Sequence, residues 1–217
     1  MKLIEKIKLI RSFPSSLDLK YELFFTTSIL VLGLGLGFIS KMLDSNLILG
    51  DIFTGFGPWI FIATLIAAYS RYPISAMINT MIFFLGMLLT YYAYSYFILG
   101  FFPQSYMMIW LIMTFTFVPI AAFIAWFSKA KGLIGVICSA LPITMLFILG
   151  CLFFSSYNVG DDPIMQEVFF RKKILYLTNL ILGIMLNILL PRTRNMKIIV
   201  FAISILISGI IWIIIEF

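Results

Sequence analysis

Uncharged polar residues recur at helical spacing inside one apolar stretch of the chain. Ser75, Asn79, Gly86, Thr90 and Tyr94 follow one another at intervals of four, seven, four and four residues. These intervals place all five on one face of an α-helix, which repeats about every 3.6 residues. Their amide, hydroxyl and phenol groups donate and accept hydrogen bonds without carrying charge, and this is the chemistry that holds a neutral solute.

A second polar face is formed by Asn179, Gly183 and Asn187, which are four residues apart. The glycine allows a neighbouring helix to approach closely, and the two amides can hydrogen-bond across the contact. In a membrane such interhelical bonds contribute about 0.6 to 2 kcal/mol each. Helix packing is therefore a sufficient role for these residues, and ligand contact through Asn179 is the alternative.

Catalytic chemistry has few candidate residues. The chain has no histidine, which removes the commonest general base and the commonest metal ligand. Its two cysteines, Cys138 and Cys151, lie in one predicted helix about 20 Å apart, too far for a disulfide. No acidic residue lies well inside a predicted span. We therefore expect no catalytic residue, no metal and no cofactor, and we expect that the protein is not an enzyme.

The elements that carry these residues are predicted to span a membrane. Residues 72–128 contain no charged side chain, a stretch far longer than the roughly 20 residues of one span. Pro103, followed by Gln104 and Ser105, divides the stretch into two helices joined by a short loop. Of all 217 residues, 63% are hydrophobic and 11% are charged, a balance unlike that of soluble domains. The sequence therefore predicts an all-α, polytopic transmembrane helical bundle.

We predict about seven spans in a single transmembrane domain, residues 23–217, or six spans if one of them is re-entrant. Pro119 and Pro142 are expected to kink the fourth and the fifth span. The second span opens with glycines around Gly57, a composition typical of an unwound half-turn. The predicted spans are 23–40, 52–70, 72–99, 106–127, 133–154, 174–190 and 198–215.

Charged residues are concentrated at the ends of the spans. Residues 1–22 are basic and amphipathic, which suits the anionic inner leaflet, and docking on a protein partner is the alternative. The loop 155–173 is predicted to contain a turn with Asp161 and Asp162 and then an interfacial helix that runs into the sixth span. Apart from the basic run 171–173, most of the 15 Lys and Arg residues lie on the side of the N-terminus, which is therefore predicted to be cytoplasmic. We expect a multi-pass protein of the plasma (cell) membrane.

Small residues mark the predicted helix-packing faces. Gly33 and Gly37 lie four residues apart in the first span, and Gly86 lies in the third. Gly183 and Asn187 take the same role in the sixth span. Small residues at this spacing let two helix backbones approach closely, which drives helix association in lipid.

Three short motifs within residues 29–157 carry a family resemblance. They are Gly33-x-Gly35-x-Gly37 in the first span, Gly57-Pro58-Trp59 opening the second, and Tyr91-Tyr92-x-Tyr94 ending the third. With them the chain resembles small bacterial multi-spanning membrane proteins of the uncharacterised DUF6518 type, which implies an architecture and no activity. More distantly, it is similar to the substrate-binding membrane subunits of energy-coupling-factor importers, which have a similar size and hydrophobicity and lack an ATP site.

Two functions remain open at this stage. The first is a small-molecule binding or transport subunit without its own energy source, because no predicted span offers an acidic carrier for protons or sodium. The second is an accessory, immunity or assembly protein that docks on another membrane complex. The expected partners are the lipid bilayer, a neutral or aromatic solute, and a membrane or ATPase partner protein, with no nucleic acid. The residues predicted to line the solute pocket are Asn79, Thr90, Tyr91, Tyr94, Trp110 and Asn179. For the tyrosines, an aromatic belt at the membrane interface is the alternative.

Overall fold

A computed structural model describes residues 2–14, 16, 18–153, 163–191 and 193–216. These residues contain no β-strand, and their regular elements are all helical, which confirms the predicted all-α class. The predicted turn at Asp161 and Asp162 lies outside the described residues. The α-helices are α1 Lys2–Ile10, α2 Leu19–Leu43, α3 Leu47–Thr54, α4 Phe56–Tyr69, α5 Pro73–Phe97, α6 Gln104–Trp126, α7 Gly132–Phe153, α8 Pro163–Leu189 and α9 Arg194–Glu216.

Local sequence sets the ends of several helices. Asp18 precedes α2, and its carboxylate accepts a hydrogen bond from Tyr21 N–H at 3.3 Å. Asn46 accepts one from the first turn of α3 at 3.0 Å. Such side chains replace the carbonyl partners that the first N–H groups of a helix lack. Pro73 opens α5, where its missing N–H costs no hydrogen bond. Gly100 turns the chain after α5 with a φ of 65°, a conformation that glycine adopts without strain.

The length and the apolar composition of its helices identify the chain as a multi-pass integral membrane protein. Six helices are long and apolar enough to span a membrane. Helices α3 and α4 together form a seventh candidate, with a bend of 44° between them. The bend falls at Gly55, within the glycine-rich opening of the predicted second span. This segment starts at Leu47, earlier than predicted, because Asn46 caps a helix there. Asp51 therefore lies in a helix and not, as predicted, in a loop.

Contacts between α2 and α5 show that these two helices run in the same direction. Thr26, near the start of α2, hydrogen-bonds to Asn79, near the start of α5. Further along both helices, the Phe38 and Tyr94 rings pack edge-on with centroids 5.4 Å apart. The chain between two parallel helices must return to the first end, so α3 and α4 together cross the bundle once. We therefore assign seven crossings, with α3 and α4 forming one broken span.

The other helices alternate in direction and define two ends of the bundle. Trp126, at the end of α6, donates to Ser70 O after α4 at 3.0 Å, and Lys129 donates to Leu189 O at the end of α8. These helix ends meet beside α1 at what we call the basic end. The opposite end, which carries Asp51, is called the far end. The basic residues at the basic end include Arg11, Arg71, Lys129, Lys131, Arg194 and Lys197.

Three apolar clusters hold the helices together. One joins α4, α7, α8 and α9 around the fully buried Ile143. A second joins α2, α4 and α5 around Phe83. The third surrounds Trp126 at the basic end, and Ile7 and Ile10 of α1 pack against it. The amphipathic N-terminal helix thus buries part of its apolar face on the bundle.

The helix predicted to run into the sixth span is the first part of α8, which continues without a break from Pro163 to Leu189. No proline or glycine lies within residues 164–182 to interrupt it. Pro119 and Pro142 lie inside α6 and α7, which continue past them.

Candidate ligand-binding site

Asn79 lies in a hydrogen-bonded contact between α2, the end of α4 and α5. Its side chain is 1% exposed. Asn79 Oδ1 accepts a hydrogen bond from Thr26 Oγ1 at 2.7 Å, and Asn79 Nδ2 donates to Ser70 Oγ at 3.2 Å. Both halves of the amide are engaged by protein groups, so this side chain joins helices.

Thr90 belongs to the same interface between α2 and α5. Its hydroxyl donates to Leu34 O at 2.8 Å. Gly33 and Gly37 face α5 so closely that a Cβ on either would overlap backbone oxygens of α5. A Cβ on Gly86 would lie 3.0 Å from a backbone oxygen of α2. The polar stripe of the third span therefore faces α2, where glycines let two parallel helices approach closely.

The aromatic residues of the predicted pocket lie in separate helix contacts toward the far end. Tyr91 lies under Lys41, whose Nζ is 4.8 Å from the ring centroid. Tyr94 packs against a phenylalanine of α2, and Trp110 packs against Phe56 with ring centroids 5.5 Å apart. The structure thus does not gather the six predicted ligand residues around one cavity.

Asn179 is the member of the predicted set that lines a cavity. The cavity has a volume of about 60 Å³ and lies where the α3–α4 span breaks, against α7 and α8. Its wall combines the backbone of the break with side chains of the two facing helices. The lining residues are Ile52, Gly55, Phe56, Gly57, Pro58, Leu149, Leu175, Thr178 and Asn179.

The Asn179 amide packs against the α4 wall of this cavity. The side chain is 4% exposed, and its Nδ2 donates to Leu175 O at 2.8 Å, one turn earlier in α8. Asn179 Oδ1 is buried and has no hydrogen-bond partner within the part of the chain that the structure describes. It lies so close to Gly57 that a Cβ there would overlap it. The glycine at this position therefore lets α8 pack closely against the start of α4.

The opposite wall of the cavity is the first turn of α4. First-turn N–H groups have no partner within their own helix, and they carry the partial positive charge of the helix dipole. The N-cap residue, Gly55, has no side chain to accept from them, and Pro58 has no N–H. The residues that line the cavity are uncharged, and most of its wall is apolar.

An ion pair joins α3 to α8 on the far-end side of the cavity. Arg171 donates from Nε and Nη2 to Asp51 Oδ2, at 2.7 and 2.6 Å. Asp51 precedes the lining residue Ile52, and Arg171 lies one turn before Leu175. Sequence reasoning missed this pair because it placed Asp51 in a loop and Arg171 in an interfacial helix. Opposite charges predicted on the same side of the membrane were the signal that could have revealed it.

A larger apolar groove of about 480 Å³ lies on the outer surface of the α5–α6 hairpin. Leu89, one of its lining residues, is 66% exposed. The groove is apolar apart from two tyrosine hydroxyls, so it suits hydrocarbon and not a polar solute. Its lining residues are Leu85, Leu88, Leu89, Tyr92, Ala93, Tyr96, Phe97, Phe102, Met107 and Leu111.

Arg11 closes the basic end of the bundle. Its guanidinium donates to Ala68 O at 2.8 Å and to Trp126 O. These carbonyls belong to the last turns of α4 and α6, where the helix dipole places partial negative charge. Burial lowers the pKa of Arg11 to about 10, so the side chain stays charged at neutral pH. The sequence analysis singled out only the basic character of this segment, because spacing alone does not show which arginine reaches the bundle.

The next question is whether the described residues offer groups for metal or disulfide chemistry. They hold no group of three or more His, Cys, Asp and Glu residues that could bind a metal ion, and Cys138 and Cys151 are both free. No protein-family model matches the chain, and neither a curated protein nor a solved structure is significantly similar to it. The chemistry of the cavity is therefore the basis for a function.

Proposed function

We propose that the protein is a small-molecule binding or transport subunit of the plasma membrane, with a cytoplasmic N-terminus and no energy source of its own. The observation that carries this proposal is the break in the α3–α4 span, together with the uncharged cavity beside it. The basic end faces the cytoplasm in this proposal, as the distribution of Lys and Arg in membrane proteins favours. The cavity then lies toward the outer side.

The broken span supports a solute site because a break is costly in a bilayer. Hydrocarbon cannot pair the N–H and C=O groups released at a break, so irregular backbone occurs where protein covers it or where it lines a cavity. Here α4 contacts α5, α6, α7 and α8, and Gly57 at its start is buried. In membrane carriers the solute site is typically built from such discontinuous helices.

The chemistry of the cavity favours a neutral solute. None of the described residues that line it is charged, and Asp51 and Arg171 nearby neutralise each other at 2.6 Å. An ion would exchange its hydration for uncharged groups at a large cost in free energy. Because Asp51 is engaged in this way, we propose that movement of the solute runs downhill or is driven by a partner protein such as an ATPase.

Flux measurements with the purified protein test this proposal. The protein is reconstituted into lipid vesicles, and the entry of urea, glycerol and benzyl alcohol is followed by light scattering against protein-free vesicles. The proposal requires that at least one solute enters faster, selectively, when the protein is present. If no solute enters faster and none raises the melting temperature of the protein, the proposal is overturned.

Co-purification addresses the second function, a membrane accessory, immunity or assembly protein. A membrane protein that remains bound in fixed stoichiometry through purification, with no effect of any solute, would favour that role. A solute effect on the isolated protein, without such a partner, favours the binding or transport role.

A further inference from the structure

We infer that the groove on the outer surface of the α5–α6 hairpin binds one acyl chain of a phospholipid, in the membrane leaflet at the far end of the bundle. The groove has a volume of about 480 Å³. The described part of the chain leaves it open, since Leu89 is 66% and Phe97 80% exposed. This site is separate from the cavity at the break, and it is independent of the proposed function.

The α5 wall of the groove is built from two neighbouring rows of side chains at four-residue spacing. Residues at this spacing lie above one another on one face of a helix. The first row consists of Leu85, Leu89, Ala93 and Phe97, and the second of Leu88, Tyr92 and Tyr96. Ala93 is the smallest of them and leaves a depression between its larger neighbours. Met107 and Leu111 of α6, also four residues apart, form the facing wall.

The groove follows α5 over the depth of one leaflet. Leu85 and Phe97 mark its two ends on this helix, and a helix rises about 18 Å between these positions. The hydrocarbon core of a bilayer is about 30 Å thick, so that one leaflet contributes about 15 Å. Phe97 is the last residue of α5 and lies at the far end. The groove therefore reaches from the headgroup level of that leaflet to the middle of the bilayer, along the direction in which acyl chains lie.

The width of the groove selects an acyl chain over a helix. A volume of about 480 Å³, spread over about 18 Å, gives a cross-section of about 27 Å², which is equivalent to a channel about 6 Å wide. An α-helix with its side chains is about 10–12 Å across, so a helix of another chain would rest on the rim and leave the floor empty. A hydrocarbon chain fills the floor, because its carbon atoms make van der Waals contact at about 3.5–4.0 Å.

Aromatic rings surround the mouth of the groove at the far end. The ring centroid of Phe102 lies 6.4 Å from that of Tyr92 and 5.9 Å from that of Tyr96. The rings of Tyr96 and Phe97 are 5.0 Å apart. Aromatic side chains in membrane proteins are enriched at the level of the headgroups. The headgroup therefore lies beyond these rings, and the chain extends from them toward the middle of the bilayer.

The surroundings of the mouth offer no free charge to the headgroup. Residues 72–128, which include the whole hairpin, contain no charged side chain. Lys41 of α2 lies over the ring of the neighbouring Tyr91, and it is already paired with Asp44 at 2.6 Å. Binding is thus determined by the acyl chain and not by the charge of the headgroup.

The test uses a phosphatidylcholine with a photoreactive diazirine near the end of one acyl chain, mixed into dioleoyl phosphatidylcholine vesicles that contain the purified protein. After irradiation, labelled peptides are quantified by mass spectrometry. Ala93→Phe and Leu89→Trp fill the groove. Ala202→Phe and Ile120→Trp are the matched controls, because both positions are exposed and neither lines the groove.

Labelling at the inner end of the groove, around Leu85, should exceed labelling around Leu206 about fivefold, a factor that corresponds to about 1 kcal/mol. Leu206 is a matched reference, since it is 63% exposed and lies as far from the start of α9 as Leu85 lies from the start of α5. The expected excess is modest because both lipids are already in hydrocarbon, so that they differ only in van der Waals contacts.

The two filling variants should remove this excess, and the two controls should keep it. A phosphatidylglycerol that carries the same diazirine chain should give the same excess as the phosphatidylcholine. Melting temperatures identify any variant that fails to fold. Leu89→Trp changes a side chain that is 66% exposed, so it keeps the inference testable if Ala93→Phe is such a variant.

Several results would overturn the inference. One is equal labelling around Leu85 and Leu206 in the wild type, and another is an excess that persists in the folded filling variants. A larger excess with phosphatidylglycerol than with phosphatidylcholine would show that headgroup charge determines binding. If Leu89→Cys, in a protein without Cys138 and Cys151, forms a disulfide between two copies and the groove is protected from the diazirine, a second copy covers it and the lipid assignment is wrong.

Discussion

The guanidinium of Arg11 lies 4.2 Å from the ring centroid of Trp126 and donates a hydrogen bond to the carbonyl oxygen of the same residue. Trp126 Nε1 in turn donates to Ser70 O at 3.0 Å, an oxygen that Arg11 also reaches at 3.5 Å. Ser70 Oγ accepts from Asn79 Nδ2. One network therefore runs from the N-terminal segment through the ends of α4 and α6 to α5.

Replacing Arg11 with alanine should lower the free energy of unfolding by about 2 to 3 kcal/mol, because hydrogen bonds from a charged donor contribute about 1.5 to 3 kcal/mol. The measurement is denaturation in detergent, followed by tryptophan fluorescence. Lys8→Ala is the control, since Lys8 is exposed on the neighbouring helix. Arg11→Lys should recover only part of the loss, because one ammonium group cannot reproduce the planar fork of the guanidinium. An Arg11→Ala protein as stable as the wild type would show that this contact does not hold α1 on the bundle.

The stabilisation by Arg11 should not depend on pH near neutrality. Burial lowers its pKa to about 10, below the pKa that arginine keeps in the unfolded chain, so the folded state loses this proton before the unfolded state does. Between these two values the unfolded state binds more protons, and stability therefore rises with pH in that window. Below it both states are protonated. The difference in unfolding free energy between wild type and Arg11→Ala should thus be constant between about pH 6 and 8, and a slope in this range would implicate another group.

Gly37→Ala should destabilise the protein by about 1 to 3 kcal/mol, the usual cost of overpacking. The added Cβ would overlap Met87 O and Thr90 Oγ1 in α5, so the two parallel helices would have to separate. The same denaturation measurement applies. Gly35→Ala is the matched control, because its Cβ would meet no described atom within 4 Å and alanine favours a helix by up to about 1 kcal/mol over glycine. Equal losses from the two substitutions would mean that close approach at Gly37 is not the cause.

The Asp51–Arg171 pair should influence access to the cavity more than it influences stability. Both side chains are partly exposed, at 31% and 27%, and exposed pairs typically contribute about 0 to 1 kcal/mol. The pair bridges α3 and α8 directly beside the cavity, so Arg171→Gln should speed urea entry while leaving the unfolding free energy nearly unchanged. The double exchange Asp51→Arg with Arg171→Asp should restore the wild-type rate. Entry as fast in the double variant as in Arg171→Gln would show that the bridge itself does not control access.

The sequence allowed a prediction of which faces of the helices are polar, but not of which neighbour each polar group meets. Asn79 and Asn179 illustrate the limit, since both are amides on a predicted inward face. Asn79 is satisfied by Thr26 and Ser70, whereas Asn179 Oδ1 lies beside Gly57 at a cavity. Hydrophobic periodicity depends on burial of one helix face, and burial is the same in the two cases. The difference arises from the packing of helices distant in sequence, about which the pattern of one helix carries no information.

The element boundaries show the same limit. The ends of the two helices between Pro73 and Trp126 were predicted to within a few residues. The length of the apolar run and the position of Pro103 determine these ends locally. The start of α3 was missed, because Asn46 in a short polar segment is as compatible with a loop as with a helix cap. The parallel direction of α2 and α5, which makes α3 and α4 one broken span, follows only from contacts between distant helices.

Thiol labelling in intact cells should establish the orientation and the crossing of the membrane by α3 and α4. In a protein whose Cys138 and Cys151 have been replaced by alanine, single cysteines are introduced at Ser45 and at Lys131, which are both exposed. Ser45 lies at the far end between α2 and α3, and Lys131 lies at the basic end between α6 and α7. A membrane-impermeant maleimide should label Ser45→Cys in intact cells and Lys131→Cys only after permeabilisation, because basic segments are retained on the cytoplasmic side. The reverse pattern would invert the orientation, and labelling of both from one side would contradict α3 and α4 as a single broken span.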